Sequence, residues 1–280
     1  MSNGSLGCVR AVLFDMDGLL IDSERIYTDV VNEILKPYGK EQTWSIKARL
    51  MGKPERDATM VLLSSLWPPN PEKEDDVKRG FSEDCPFTID NFLVERNARL
   101  LPAFETVSPM PGAQRLVQHL SKHNIPICVA TGSKRRNCTW LLVLTGGVQI
   151  KSSANPDLFK CFGDRVVCGD DKVVGRGKPN PDIFLIAAKY GLGLQHTKDG
   201  ETFVQGIRDP GAEFDGVLKG TEGEVLVFED GLPGVEAGLA AGMKVVWVPD
   251  PNGPTVQAHQ TISSLKDFQP ELWGLPPFDA

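Results

Sequence analysis

Five short, uniformly apolar segments, each ending in polar residues, constrain the fold of this chain more than any other feature. They lie at residues 9–17, 125–133, 165–171, 224–230 and 244–250. Continuous rather than alternating apolarity predicts strands that are buried on both faces, as in a parallel sheet. Helical patterns at residues 112–122, 182–190 and 232–241 separate most of these segments, as βαβ crossovers require. The sequence therefore predicts an α/β protein with a Rossmann-like, doubly wound parallel sheet.

The long segment between the first and second predicted strands has helical patterns only. One amphipathic helix can begin at a cap near Ser23, and Pro54 can open another. The stretch "WPPNPEKEDDVKRG" is polar and rich in proline, and we expect it to be a loop. Residues 1–21 and 108–280 are therefore predicted to form the α/β core, and residues 22–107 a helical domain inserted after the first strand.

Composition and charge exclude several classes of protein. A net charge of −7 without a basic stripe or tail predicts no nucleic-acid partner. The N-terminal stretch "MSNGSLGCVR" has no apolar h-region, and no run of about 18 apolar residues suggests a membrane span. The six cysteines are scattered without a CxxC pair, which favours reduced thiols over disulfides or metal ligands. We expect a cytoplasmic protein that is a monomer and has no membrane partner.

The stretch "VLFDMDG" places Asp15 and Asp17 at the end of the first predicted strand. In an extended strand, residues two apart face the same way, so both carboxylates can project toward one point. Buried carboxylates cost free energy unless a cation or hydrogen bonds compensate them. A helix cap would not need the preceding buried strand, and an EF-hand loop is excluded because its glycine and closing glutamate would fall on Leu20 and Ile26. The pattern favours a catalytic or metal-binding role.

The second predicted strand ends in "TGS", which offers the Thr131 hydroxyl and the backbone N–H groups of Gly132 and Ser133. These groups can open a helix whose N-terminus favours an anion. A plain helix cap uses the same residue types, so this motif alone leaves both interpretations open.

Two further motifs add a cation and more carboxylates. Lys178 in "GRGKPNPD" can bind phosphate or be an ordinary solvated lysine; a P-loop is excluded because Pro179 replaces the required Ser or Thr. Glu229 and Asp230 in "FEDGLPG" repeat the acidic strand end of "DMDG". The carboxyl ends of parallel strands meet at one edge of the sheet, where α/β proteins bind ligands. Two converging acidic ends point to a hard divalent cation such as Mg²⁺. The combination suits phosphoryl transfer, because a cation and a lysine remove the repulsion between a carboxylate nucleophile and a phosphate.

These motifs, in this order, resemble the haloacid dehalogenase-type phosphatases. The "DMDG", "TGS", "GKPNPD" and "FED" elements stand in the strand contexts of that family. A closer likeness, from about Val9 to the C-terminus, is to the pseudouridine-5′-phosphatase branch; it includes "MDGLLIDSERIY", "MGK" and "GVEAGLAAGMKVVWVPD". The relatives of that branch include phosphatases for sugar, polyol and flavin phosphates.

The resemblance implies a role for each motif residue. Asp15 would be the nucleophile that forms an aspartyl-phosphate, and Asp17 would be the general acid and base. Mg²⁺ would be held by the Asp15 side chain, the Asp17 backbone carbonyl and Asp230, with Glu229 close by. Four residues would hold the phosphoryl group: Thr131, Gly132, Ser133 and Lys178.

The resemblance also implies that the inserted helical domain is a mobile cap that contacts the leaving group. Lys53 in "MGKPERDA" is the first candidate for such a contact and Arg56 the second, although an exposed charge at a helix end explains either residue equally well. The glycine-rich stretch at residues 191–223 is too long for an ordinary loop, and we expect a surface excursion there.

The implied activity is Mg²⁺-dependent hydrolysis of a small phosphomonoester, with pseudouridine 5′-phosphate as the favoured substrate. Sugar phosphates, glycerol phosphate and FMN are alternatives. A phosphomutase of the same architecture is a second enzymatic possibility. A non-catalytic phospho-ligand binding module is a third, although a binder needs no nucleophile with an acid beside it.

Overall fold

The computed structural model describes residues 6–50, 53–135, 154–192, 222–251 and 256–279. The chain divides into two compact units. One is Ser23–Thr106, here called the helical unit, and the other combines Met1–Asp22 with Val107–Ala280, here called the sheet unit.

The helical unit contains α1 Ser23–Leu35, α2 Trp44–Leu50, α3 Glu55–Leu66, α4 Glu74–Arg79 and α5 Ile89–Phe104. Helix α1 buries Ile26, Val30 and Ile34, which lie on one face because they are four residues apart. Helix α5 packs beside it, and the ring of Phe104 meets that of Tyr27 edge to face at 5.3 Å between centroids. The unit therefore has a hydrophobic core of its own.

Helix α4 lies inside the stretch that the sequence pattern predicts to be a loop, and that prediction was wrong. Three acidic residues, 74–76, occupy its first turn, where the positive end of the helix dipole stabilises negative charge. The carboxylate of Asp76 is buried and accepts hydrogen bonds from the backbone N–H groups of Asn70 at 2.9 Å and Glu83 at 2.8 Å. Local polar contacts therefore stabilise a helix that has no apolar periodicity.

The described strands form one parallel sheet. They are β1 Ala11–Phe14, β2 Ile127–Thr131, β3 Val166–Cys168, β4 Val225–Glu229, β5 Lys244–Trp247 and β6 Gln260–Thr261. Their order is β3-β2-β1-β4-β5-β6, and each neighbouring pair is parallel. The predicted doubly wound α/β fold is confirmed. The sixth strand was not predicted, because its two residues form no apolar run.

Strand β1 lies inside this sheet, with β2 and β3 on one side and β4, β5 and β6 on the other. Leu13 is in register with Cys128 of β2 and Val227 of β4. The chain therefore changes direction of winding at β1, and the crevice beyond the carboxyl ends of strands at such a point is where α/β proteins bind ligands. The two acidic residues that follow β1 are Asp15 and Asp17.

The described helices of the sheet unit are α6 Ala113–Lys122, α7 Pro156–Phe159, α8 Asp182–Ile186 and α9 Leu232–Ala240. Leu13 of β1 belongs to the same buried cluster as Phe184 of α8 and Val235 of α9. Phe14 points to the opposite face, where its ring stacks on Phe228 at 5.1 Å and meets Phe162 at 5.9 Å. Both faces of β1 are therefore buried, as its continuous apolarity predicts.

Two predicted features, the helix at 182–190 and the surface excursion at 191–223, lie next to or among residues that the structure does not describe. The predicted helix at 182–190 continues past α8 as a π-helical turn, Ala187–Gly191. The expected surface excursion falls mostly at residues 193–221, outside the described residues.

Among the described helices, none is both long and apolar enough to cross a membrane. Cys128 and Cys168 are free thiols buried in β2 and β3, and burial raises the pKa of Cys128 well above its ordinary value.

Candidate active site

Asp15 follows β1 directly, at the centre of the carboxyl edge of the sheet. Its backbone N–H donates to the carbonyl oxygen of Phe228 at 3.1 Å, so the ladder with β4 extends to this residue. Its side chain is buried, with 7% exposure of the residue. An ionised carboxylate this deep costs free energy unless a cation or hydrogen bonds compensate it.

Lys178 supplies that positive charge. Its Nζ lies 2.5 Å from Oδ1 of Asp15 and 2.6 Å from Oε1 of Glu229, and it donates to the carbonyl oxygen of Ala130 at 3.0 Å. The ring of Phe184 lies 5.0 Å from the ammonium group, within range of a cation–π contact. One lysine therefore joins the ends of β1, β2 and β4.

Glu229 is the last residue of β4, and its carboxylate is almost fully buried. Its Oε1 faces Lys178, while Oε2 accepts hydrogen bonds from the backbone N–H groups of Asp230 and Gly231, both at 3.1 Å. Both oxygens are occupied. The geometry makes Glu229 the residue that holds Lys178 against Asp15.

One group of carboxylates in the described residues could hold a metal ion. Oxygen atoms of Asp15, Glu229 and Asp230 all lie within 4.8 Å of one another. Carboxylate oxygens are hard ligands that suit Mg²⁺, so the donor set fits the expected cation. The expected fourth contribution, the backbone carbonyl of Asp17, stays a prediction.

The Asp17 side chain lies with the "TGS" residues. The Ser133 hydroxyl donates to Oδ2 of Asp17 at 2.5 Å, and the Thr131 hydroxyl donates to the same oxygen at 3.5 Å. The Ser133 N–H donates to Oγ1 of Thr131 at 3.1 Å, so this amide is engaged within the loop. The two carboxylates of "DMDG" therefore have different partners: Asp15 a cation, and Asp17 two hydroxyl groups.

Burial and charge shift the proton affinities in this cluster. Burial, the largest cause, and the nearby carboxylates of Glu229 and Asp17 together raise the pKa of Asp15 to about 7, against the lowering effect of the Lys178 ammonium group. Burial lowers the pKa of Lys178, but the carboxylates of Asp15 and Glu229 outweigh this effect and raise it above its ordinary value. Lys178 is therefore charged at neutral pH, and additional positive charge favours ionised Asp15.

Arg135, just after the "TGS" residues, makes contacts that were not predicted from the sequence. The Arg135 backbone N–H donates to Oδ1 of Asp170 at 2.6 Å, and its guanidinium group forms a forked ion pair with Asp171. Oδ2 of Asp171 also accepts from the Cys168 N–H at 2.8 Å. The acidic end of the third strand, "VVCGDD", was the available signal. These contacts tie the loop after β2 to the end of β3.

The two cap candidates lie in the helical unit. Lys53 is exposed and precedes α3, and Arg56 lies in the first turn of α3, where it forms an ion pair with Asp90. Their proposed contact with a substrate stays a prediction.

Comparison with known proteins shows the class of this chain. A family model of the haloacid dehalogenase-like hydrolases matches residues 9–195. The chain belongs to this family, and it is an enzyme of the phosphatase type.

Two curated relatives and one solved structure are similar over most of their length. "(DL)-glycerol-3-phosphatase 2" of Arabidopsis thaliana is 38% identical, over 98% of this chain and 94% of that protein. "Probable pseudouridine-5'-phosphatase" of Drosophila melanogaster is 35% identical, over 99% of both chains. The structure of a HAD family hydrolase from Deinococcus radiodurans R1, with bound phosphate and sodium, has a TM-score of 0.65 at 23% identity and covers 96% of this chain and 98% of that one. That last likeness shows the fold.

Proposed function

We propose that this chain is a Mg²⁺-dependent phosphomonoesterase that hydrolyses a small phosphorylated metabolite through an aspartyl-phosphate on Asp15. One observation carries the proposal: Lys178 contacts Asp15, while Asp17 is hydrogen-bonded to Ser133. Two carboxylates two residues apart therefore have separate environments, which is the arrangement expected when one is a nucleophile and the other an acid and base.

In the first half of the reaction, a carboxylate oxygen of Asp15 attacks phosphorus and the bond to the leaving oxygen breaks. Protonated Asp17 gives its proton to that oxygen, and an alcohol departs. In the second half, Asp17 takes a proton from water, whose oxygen attacks phosphorus. The bond between phosphorus and Asp15 breaks, which releases inorganic phosphate and regenerates the carboxylate.

Asp15 and Asp230 would hold Mg²⁺, with the Asp17 backbone carbonyl as a further ligand and the Glu229 carboxylate close by. When bound, the cation supplies positive charge that offsets the clustered carboxylates and the phosphoryl oxygens. Lys178 would keep Asp15 aligned and contact the incoming phosphoryl group, and the Thr131 and Ser133 hydroxyls with the Gly132 amide would orient it.

The substrate class is small phosphomonoesters. The relative named for pseudouridine 5′-phosphate supports the nucleotide as favoured substrate, and the relative named for glycerol 3-phosphate, at 38% identity, supports a second candidate. Sugar phosphates and FMN remain alternatives. The residues around the phosphoryl group cannot distinguish one leaving group from another. We therefore propose that residues 22–107 act as a cap that selects the leaving group, through Lys53 and secondarily through Arg56. We further propose that the enzyme is a cytoplasmic monomer without nucleic-acid or membrane partners.

The proposal is tested by kcat/KM for phosphate release from pseudouridine 5′-phosphate, glycerol 3-phosphate, hexose phosphates and FMN. All activity should disappear with a chelator and return with Mg²⁺. A tenfold preference, about 1.4 kcal/mol in transition-state binding, decides between candidate substrates.

Lys53→Ala should change the ranking of substrates more than the rate on an aryl phosphate. Binding without turnover would indicate a binding module, and an isomerised product without free phosphate would indicate a mutase.

A further inference from the structure

Gly234, in the first half of α9, lies against the carboxylate of Glu229. A Cβ atom placed on Gly234 would lie 1.8 Å from Oε1 of Glu229, 1.9 Å from its Cδ and 2.4 Å from Oε2. Carbon atoms do not approach oxygen or carbon at these distances without a covalent bond. The Glu229 carboxylate therefore occupies the space that any side chain at position 234 would need.

The Glu229 carboxylate has little freedom to move aside. It is about 2% exposed, Oε1 is held by Lys178 at 2.6 Å, and Oε2 is held by two backbone N–H groups. A shift that relieves contact with residue 234 breaks at least one of these bonds. Helix formation gives no reason for glycine at this position, because alanine is the better helix former.

We infer that Gly234 is a positioning residue: its missing side chain makes room for the Glu229 carboxylate, which in turn holds Lys178 against Asp15. Gly234 need not contact substrate. The catalytic consequence rests on the proposed function, whereas the steric relation between Gly234 and Glu229 does not.

Gly238 provides a matched control in the same helix, one turn later. A Cβ atom there would lie 2.8 Å from Cγ2 of Val245 and 3.5 Å from Val227, so it would crowd the apolar core and no carboxylate. Gly238→Ala therefore adds the same methyl group to the same helix at another crowded position, although its nearest contact, at 2.8 Å, is less severe than that of Gly234→Ala. The two variants differ in what the added methyl group meets.

The first test is a double-mutant cycle on thermal stability, without substrate. Gly234→Ala should lower the melting temperature by several degrees in the wild-type background and by much less in a Glu229→Ala background, where the carboxylate is gone. Gly238→Ala should cause the same shift in both backgrounds. Should Gly234→Ala alone fail to fold, the double variant should still fold as Glu229→Ala does. An equal loss in both backgrounds, or a double variant that does not fold, would overturn the inference.

The second test is kinetic. Gly234→Ala should lower kcat/KM by about 100-fold or more, the usual cost of displacing a reacting group by about 1 Å, while Gly238→Ala stays within about threefold of the wild type. Most of the loss should be in kcat. Glu229→Asp, whose shorter side chain leaves room for the methyl group, should restore part of the activity of Gly234→Ala. A Gly234→Ala enzyme as active as the wild type would overturn the inference; an inactive wild type would overturn the proposed function and leave the outcome of the stability cycle intact.

Discussion

Lys178 Nζ donates to Oδ1 of Asp15 at 2.5 Å, inside the sheet unit and at the carboxyl end of its central strand. The same nitrogen faces Glu229, so a single ammonium group compensates two buried carboxylates. When both carboxylates are ionised, the cluster keeps an excess of negative charge, which suits a divalent cation. The ion pair of Lys178 with Asp15 is therefore expected to matter both for the stability of the sheet unit and for the proposed reaction.

Removal of Lys178 should destabilise the fold. Lys178→Met leaves Asp15 and Glu229 buried without their cation, and loss of one partner of a buried ion pair costs about 3–5 kcal/mol. The loss should be smaller in acid, because Asp15, whose pKa is raised to about 7, can then take up a proton. Urea unfolding at neutral pH measures it. Lys160→Met, which removes an exposed ion pair with Asp157, is the control and should change little. A loss below about 1 kcal/mol for Lys178→Met would contradict the compensating role.

Asp17 should matter most for poor leaving groups. Asp17→Asn removes the proposed proton donor, and general acid–base help is worth about 10²–10⁴-fold in rate. An aryl phosphate needs less protonation than an alkyl phosphate, so its loss should be smaller. Ser133→Ala should cause a smaller loss of the same kind, because the Ser133 hydroxyl orients Asp17. Equal losses of kcat/KM on both substrates would argue against Asp17 as the acid, because the later hydrolysis of the aspartyl-phosphate, which is common to both, does not enter kcat/KM.

The "TGS" segment should be sensitive to a change at Gly169, the residue directly after the neighbouring strand β3. A Cβ atom on Gly169 would lie 2.5 Å from the carbonyl oxygen of Gly132, so Gly169→Ala must shift the loop that carries Thr131 and Ser133. We expect kcat/KM to fall by about tenfold or more, since displaced contacts lose transition-state stabilisation. In Gly223→Ala no described atom lies within 4 Å of the added carbon, so this control should behave as the wild type does. Unchanged kinetics in Gly169→Ala would show that the loop tolerates the shift.

Asp76 should make the helical unit sensitive to acid. The backbone N–H of Asn70, and then that of Glu83, lower the pKa of Asp76 below its ordinary value. The pKa of Asp76 is therefore lower in the folded protein than in the unfolded chain, where it is about 3.9. At pH values above about 3.9 the carboxylate contributes its full stabilisation, and this contribution is lost as the pH falls through the folded pKa. Asp76→Asn should therefore unfold at lower urea than the wild type at neutral pH, and the gap should close in acid. A gap independent of pH would contradict the assignment.

The sheet and its active edge could be predicted from the sequence because both depend on strong local signals. Continuous apolar runs such as that before Asp15 are typical of strands that are buried on both faces, and the polar residues after parallel strands meet at one edge of the sheet. The contact between Lys178 and Asp15, 163 positions apart in the sequence, follows from that convergence.

The features that could not be predicted from the sequence depend on contacts between particular side chains rather than on the periodicity of apolar residues. Helix α4 is stabilised by the buried carboxylate of Asp76, which a search for apolar stripes overlooks. The ion pair of Arg135 with Asp171 and the contact of Gly234 with Glu229 join residues whose types are common on any surface or helix. Such roles become visible only when distances between atoms are known.

The proposed mechanism requires that the phosphoryl group be transferred to Asp15. The most direct test is to quench the enzyme during turnover with Mg²⁺ and a small phosphomonoester, reduce it with borohydride and sequence its peptides by mass spectrometry. An acyl phosphate is reduced to an alcohol, so an aspartyl-phosphate at position 15 appears there as homoserine. We predict homoserine at position 15 in the wild type. A folded Asp15→Asn variant should show neither homoserine nor turnover. Homoserine at Asp17 or Asp230 instead, or full turnover by Asp15→Asn, would contradict the account.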